Sequence, residues 1–134
     1  VDSADPKGVE TVRANVKKFR LFNTSVHNGR ALEVIADLPR PTHVFIGGSG
    51  DELEELLQAV RTLGSGIKVV VSCVTLKTYT KAFMILNGAG YANFDAVQIS
   101  VSRAKKLGTS IIMAAQNPIT IMSALTDSEK KEVL

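Results

Sequence analysis

Apolar residues return along this chain first at helical spacing and then in short β-branched runs. From Pro6 to about Phe19, the residues Val9, Val12, Val16 and Phe19 recur every three or four positions behind Asp5 as a cap, with proline at the first helical position, so a helix is expected there. Thr24 to His27 then reads as a short strand closed by Asn28-Gly29. Ala31 to Leu38 reads as a short helical segment stopped by Pro39 and Pro41. Thr42 to Ile46 is the next strand, followed by the glycine turn Gly47-Gly48-Ser49-Gly50. Leu53, Leu56, Leu57 and Val60 mark one face of a helix that starts near Asp51 and ends at Gly64, and Asp51, Glu52, Glu54 and Glu55 put acids where a helix dipole favours them. Ile67 to Val71 has the continuous β-branched character of a strand buried on both faces. Leu76 to Leu86 is a helix carrying Tyr79, Ala82, Phe83 and Leu86 on one side.

The last third changes character. Phe94 to Ser102 and Thr109 to Ala115 are strand-like with no helix between them, joined by a basic loop from Arg103 to Gly108. Pro118 interrupts the second before Ile119 to Ala124 resumes it. Thr126 to Leu134 is polar and reads as a frayed helix or tail. Strand and helix alternating, then a hairpin, predict an α/β fold: a mostly parallel sheet with a C-terminal antiparallel hairpin.

A length of 134 residues suits a single domain, and 45% apolar residues suffice for a core. The net charge of +3 falls short of the dense basic surface of a dedicated nucleic-acid binder, so no nucleic-acid partner is expected. Cys73 is the one cysteine, which rules out an internal disulfide or a thiolate metal site and favours a reducing, cytoplasmic setting. No apolar run approaches the roughly 20 residues that span a bilayer, and the chain opens on polar and acidic residues, so it reads as soluble, without a membrane partner. Asn23-Thr24-Ser25 fits the glycosylation pattern but, with no secretory signal, reads as a polar strand entry. His27 and His43 stand far apart without carboxylates at ligand spacing, and no metal is expected.

The stretch from Phe45 to Gly50 draws the functional argument. A buried strand ending in a glycine turn that feeds a helix is where an open α/β sheet places its ligand. Gly47, Gly48 and Gly50 let backbone approach a ligand closely, while Ser49 either caps the helix or bonds the ligand. The plainer alternative is a tight turn with a helix cap. Thr75 after the central strand either donates to a ligand or caps the next helix. Asn117 either turns its amide toward a pocket or simply precedes a strand-breaking proline.

These residues resemble a known family. Asp5-Pro6, Gly29-Arg30-Ala31, Gly47-Gly48-Ser49-Gly50, Val74-Thr75-Leu76, Val101-Ser102-Arg103 with Leu107-Gly108, and Gln116-Asn117-Pro118 follow one another as in the decarboxylating precorrin-6Y methyltransferases of the CbiT type, which also form the C-terminal half of the fused CobL enzymes. No one of these motifs is specific; their order and spacing over Asp5 to Ala124 are. The resemblance implies a Rossmann-like class I methyltransferase fold and S-adenosylmethionine as cofactor. It implies methylation, with decarboxylation of an acetate arm, of a precorrin (precorrin-6B or cobalt-precorrin-6B) in cobalamin biosynthesis, and a homo-oligomer, a tetramer. By matching positions it implies Asp2 or Ser3 near the ribose, Arg30 and Ala31 near the adenine, and Gly47 and Gly48 beside the methionine end. Ser49, Gly50, Thr75, Arg103 and Asn117 then face the substrate. Arg103, Lys105 and Lys106 suit the acid arms of a polycarboxylate. A phosphate backbone would suit them too, but no interleaved aromatics are present to stack bases.

The departures are specific. The family's first strand and its glycine turn have no counterpart here, so the chain is expected to be an N-terminally truncated fragment starting at the second strand. That missing strand lies at the centre of the family sheet, and each buried backbone group left unmatched would cost about 1–3 kcal/mol. At the ribose position the family has an acid where alignment through Asp5-Pro6 puts Ser3, with Asp2 one residue early. Arg30 stands where an acid is common, Asp51 where a glycine is common, and Arg20 at a helix-ending glycine position, where a positive φ would cost about 1 kcal/mol. Methyl transfer from a sulfonium needs no nucleophile, base or metal, so no catalytic residue is assigned. Two other readings stand beside this one: a non-catalytic binding or assembly module of the same fold, and a methyltransferase with another small-molecule acceptor.

Overall fold

The computed structural model describes residues 2–3, 5–48 and 51–127. They fall in two compact units, Val1–Pro39 and Arg40–Leu134, each considered by itself. In the first, β1 (Asp2–Ser3) and β2 (His27–Asn28) pair in parallel, with α1 (Pro6–Lys18) between them in the chain. Helix α1 begins as its sequence requires: the Asp5 carboxylate accepts the Lys7 backbone N–H at 3.2 Å, and Pro6 has no N–H to satisfy. Val9 is buried, Val12 and Val16 are half-buried, and Phe19 lies exposed just beyond the last turn. Arg20 takes the positive φ foreseen for it, +53°. The strand expected over Thr24 to His27 is shorter and later, because only His27 and Asn28 find ladder partners. A short α2 (Ala31–Val34) tightens into a 3₁₀ turn, Ile35–Asp37, ahead of Pro39.

The second unit runs β3 (His43–Gly47), α3 (Leu53–Thr62), β4 (Lys68–Cys73), α4 (Leu76–Leu86), β5 (Tyr91–Ile99), β6 (Ser102–Leu107), β7 (Ser110–Ala115) and β8 (Ile119–Thr126). Its sheet has the order β3-β4-β8-β5. Strands β3 and β4 are parallel, while β8 lies antiparallel to both β4 and β5. The α/β class is as expected, and the antiparallel end is present, but its pairing corrects the sequence reading. Tyr91–Ile99 pairs with the last strand, not with Thr109–Ala115. The segment Arg103–Gly108, expected as a loop, is instead mostly strand: Ser102–Leu107 pairs with Ser110–Ala115 in a separate ribbon. The turn between them decides this, since Gly108 at φ +60° supplies the left-handed position that two-residue hairpin turns favour.

Burial of β4 is also one-sided. Val69, Val71 and Cys73 are buried, but Lys68, Val70 and Ser72 are only half-buried, so the β-branched run does not mean two covered faces among the described residues. The buried face meets α4, which packs on β4, β8 and β5 and against α3. Leu53, Leu56, Leu57 and Val60 of α3, Ala82 and Leu86 of α4, and Met122 and Ala124 of β8 complete the core. A β-bulge between Ala92 and Asp95 puts Asn93 at φ +53°.

Two buried polar groups tie these layers together. Tyr91 donates its hydroxyl to the Leu57 carbonyl at 2.9 Å, joining β5 to α3, with the Arg61 guanidinium 6.0 Å from its ring centre. Thr126, expected to belong to an inconsequential tail, is buried at the end of β8. Its hydroxyl donates to the Gly64 carbonyl at 2.7 Å and accepts from the Ile67 N–H at 2.9 Å. Its backbone N–H donates to Ile67 and its carbonyl accepts from Gly66. Arg40 adds a further tie, donating from Nη2 to the Ser65 carbonyl at 2.6 Å and from Nε to Leu63 at 3.2 Å.

Thr126→Val keeps the shape but strands a buried donor and acceptor, so urea unfolding should show a loss of about 1–3 kcal/mol, with Thr126→Ser losing much less. A loss in Thr126→Val no larger than that in Thr126→Ser would remove the hydroxyl as the dominant tie. Burial pushes the Tyr91 phenol up to about 12, against the opposing pull of Arg61. The folded state thus holds this proton more tightly than the unfolded chain, so the associated stability is whole below pH about 10 and is lost as pH rises toward the folded value. Denaturant titrations across that window should show wild type losing on the order of 2–3 kcal/mol more than Tyr91→Phe.

Candidate functional site

The carboxyl edge of β3 and β4 is where this topology gathers its chemistry. Gly47 ends β3 opposite Ser72 of β4, so the glycine turn and the exit of β4 toward Thr75 lie side by side. Because β8 runs antiparallel, its start belongs to the same edge: Thr120 faces Cys73, and Asn117 comes just before. Ile99 at the end of β5 faces Ile119, and the Gln116 N–H donates to the Val101 carbonyl at 2.8 Å, rooting the β6–β7 ribbon there. Four residues singled out from sequence, Gly47, Gly48, Thr75 and Asn117, therefore meet at one sheet edge. Arg103, paired with Ala114, stands near the ribbon's root. Lys105 and Lys106 do not join them; at about 3.4 Å per residue they run outward along the ribbon.

Gly48 has φ +71°, a conformation that side chains rarely adopt, and an added Cβ would meet nothing within 4 Å. The turn is open on its outer side, as a backbone cradle for a ligand must be. A Cβ at Gly47 would touch the Phe45 ring at 3.3 Å, and that ring is itself 70% exposed. Ser49 and Gly50 lie outside the described residues. The helix cap is therefore read from Glu52, which precedes α3, with Glu54 and Glu55 in its first turn.

Thr75 caps α4, its hydroxyl accepting the Thr78 N–H at 3.2 Å and lying 3.0 Å from the Thr78 hydroxyl. Both readings of Thr75 remain compatible with this, because the hydroxyl pair is exposed and retains a proton to share. Asn117 is exposed between β7 and β8. Cys73 is buried beside this edge, donates weakly to the Val71 carbonyl and has its thiol pushed up by burial, which disfavours a nucleophilic thiolate. His43 opens β3 at the opposite end and bonds Thr42 Oγ1 at 3.0 Å. Among the described residues, no group of three or more histidine, cysteine or acidic side chains could hold a metal, and no helix is long and apolar enough to cross a membrane.

The remaining candidates belong to the first unit. Asp2 and Ser3 make up β1, with their side chains outside the described residues. Arg30 precedes α2 and its backbone N–H donates to Glu33 Oε2 at 3.4 Å, while Ala31, half-buried, opens the helix. Sequence reasoning missed one pair in the second unit. Lys77, in the first turn of α4, bonds Asp51 just beyond the β3 turn, and this contact holds the Asp51 carboxyl below its ordinary value. The signal was present in the unusual acid at position 51 and in a lysine placed against the helix dipole.

Comparison with known proteins gives this geometry a family. The chain is 34% identical over 122 residues to a probable cobalt-precorrin-6B C(15)-methyltransferase (decarboxylating) of Pyrobaculum aerophilum, covering 90% of this chain and 62% of the relative. The solved precorrin-6y C5,15-methyltransferase of Geobacter metallireducens superposes with a TM-score of 0.81 at 35% identity, covering 94% of this chain and 65% of that one. The chain thus spans under two thirds of the length of these relatives. A SAM-dependent O-methyltransferase of Thermotoga maritima, with a TM-score of 0.69 at 12% identity over 98% of this chain and 51% of its own, shares the fold alone. The fold is that of the class I methyltransferases. A family model for the precorrin methyltransferase domain matches residues 3–126, and the chain belongs to that family.

Proposed function

We propose that this chain serves S-adenosylmethionine-dependent methylation, coupled to decarboxylation, of precorrin-6B or cobalt-precorrin-6B in cobalamin biosynthesis. The observation that carries the reading is the Gly47-Gly48 turn, open at positive φ on the ligand edge of a sheet whose relatives bear precorrin methyltransferase names. The open turn suits the cofactor: Gly47 and Gly48 would receive its methionine end. S-adenosylmethionine supplies, when bound, a methyl group already activated on a positively charged sulfur.

The work left to the protein is placement and exclusion of water. The Thr75 and Thr78 hydroxyls and the Asn117 amide offer neutral hydrogen bonds at the edge, and Arg103 at the ribbon root offers a planar cation for a carboxylate arm. Exposed Leu76 and Val74 add apolar surface for a macrocycle face. A cytoplasmic setting accords with Cys73 as a free thiol.

The finer proposal of a homo-tetramer draws support from the β6–β7 ribbon. All of β6 is exposed, and Ile111 and Met113 are 75% and 67% exposed. A two-stranded ribbon is marginal alone in water, so one with Ile111 and Met113 exposed on one face and Leu107 and Ile112 exposed on the other calls for a partner surface. A second copy presents the same surface to it.

Isothermal titration of the full-length protein with S-adenosylhomocysteine should give saturable binding, and incubation with S-adenosylmethionine and cobalt-precorrin-6B should release carbon dioxide with each methyl transferred. Absence of heat at millimolar ligand would overturn the cofactor assignment. Gly48→Ala should cost about 1 kcal/mol of stability and also weaken S-adenosylhomocysteine by about tenfold or more; unchanged affinity would remove Gly48 from the cradle. Light scattering should report a tetramer that Ile111→Asp with Met113→Asp converts to smaller species, and an unchanged mass would exclude the ribbon as the interface.

A further inference from the structure

We propose that Lys77 is a specificity-determining residue that takes one carboxylate arm of the tetrapyrrole, with Asp51 holding its ammonium until the substrate carboxylate displaces it. This rests on the methyltransferase reading given above. Asp51 follows the turn that ends β3, and Lys77 lies in the first turn of the helix that follows β4. Since β3 and β4 are parallel neighbours, the ion pair spans the ligand edge between Gly48 and Thr75.

Three observations suit this pair to exchange with a ligand carboxylate. The first is its setting on α4, whose first turn holds no acid, so a lysine there opposes the helix dipole and is not explained by helix stability. The second is the charge around it. Lys81, one turn further along the same face, also acts electrostatically on Asp51, so two cations of α4 address that one carboxylate. The third is exposure: the Lys77 and Asp51 side chains are 63% and 80% accessible, so water competes for the contact and its net worth is small. Such a contact is readily exchanged for a chemically identical one. An acetate or propionate arm presents the same group as Asp51. Exposed Leu76 and Val74 flank the position, giving the ring system an apolar floor beside the charged contact.

The test is steady-state kinetics of the full-length protein with cobalt-precorrin-6B, with S-adenosylhomocysteine titrations in parallel. Lys77→Gln should raise KM about tenfold with kcat within about twofold, leave S-adenosylhomocysteine affinity unchanged, and be largely rescued by Lys77→Arg. Asp51→Asn, which frees the ammonium, should lower KM. An unchanged KM in Lys77→Gln overturns the proposal, as does a rise in KM in Asp51→Asn equal to that in Lys77→Gln, which would mark the pair as structural. If wild type neither binds S-adenosylhomocysteine nor transfers methyl, the underlying reading and this inference fall together. If wild type does both and the variants behave alike, only this inference falls.

Discussion

The path of β8 governs the carboxyl edge of the sheet. By running antiparallel between β4 and β5, it brings its own start to the edge where β3, β4 and β5 end. A slip of one residue in that register would turn Met122 and Ala124 from the core to the open face and put Thr120 out of line with Cys73. Thr126 pins the far end of the strand. Its hydroxyl and backbone reach Gly64, Gly66 and Ile67, so the turn that follows α3, the entry to β4 and the close of β8 are held by one buried residue.

Rigidity at one end allows openness at the other. At the far end, Tyr91 fastens β5 to the Leu57 carbonyl and Arg40 fastens the chain before β3 to the carbonyls after α3. The carboxyl edge instead carries exposed or half-exposed groups: Phe45, Gly48, Thr75, Leu76, Lys77 and Asn117. Stable α/β sheets place recognition this way because strand interiors fix positions to within the ladder geometry while the loops at their ends can vary. The chemistry proposed here needs little more than such placement, since an activated methyl group requires alignment with its acceptor rather than a general base.

The β6–β7 ribbon stands apart from both ends. Its root is fixed beside Asn117 by the Gln116 to Val101 hydrogen bond, while its apolar residues are left to water. In the proposed tetramer the contact residues Ile111 and Met113 lie on one ribbon face and Arg103, opposite Ala114, on the other, so Arg103 is left to the ligand edge. The charged groups nearer the sheet, Asp51 and Lys77, depend instead on β3 and β4 alone.

Much of this was legible in the residue order, for reasons of local physics. Asp5-Pro6 announces α1, Leu53 through Val60 spell one helix face, and Leu76–Leu86 is bounded as expected, because caps and a 3.6-residue period act over a few positions. The glycine turn and the family motifs likewise singled out Gly47, Gly48, Thr75 and Asn117, which the fold brings to one sheet edge. Pairing partners were another matter. Nothing local distinguishes Phe94–Ser102 seeking Thr109–Ala115 from Tyr91–Ile99 seeking Ile119–Thr126, since both are alternating or β-branched runs, and the choice rests on burying Met122 and Ala124 against α4. Thr126 looked like tail for the same reason: its partners stand some 60 residues away, at Gly64 and Ile67. The Asp51–Lys77 pair, 26 residues apart in the chain, exists only because parallel β3 and β4 set their following turns side by side. Helices, caps and turns are thus written in short-range preferences, whereas strand order, the buried hydroxyl clamp and the charge pair at the edge follow from which distant segments exclude water together.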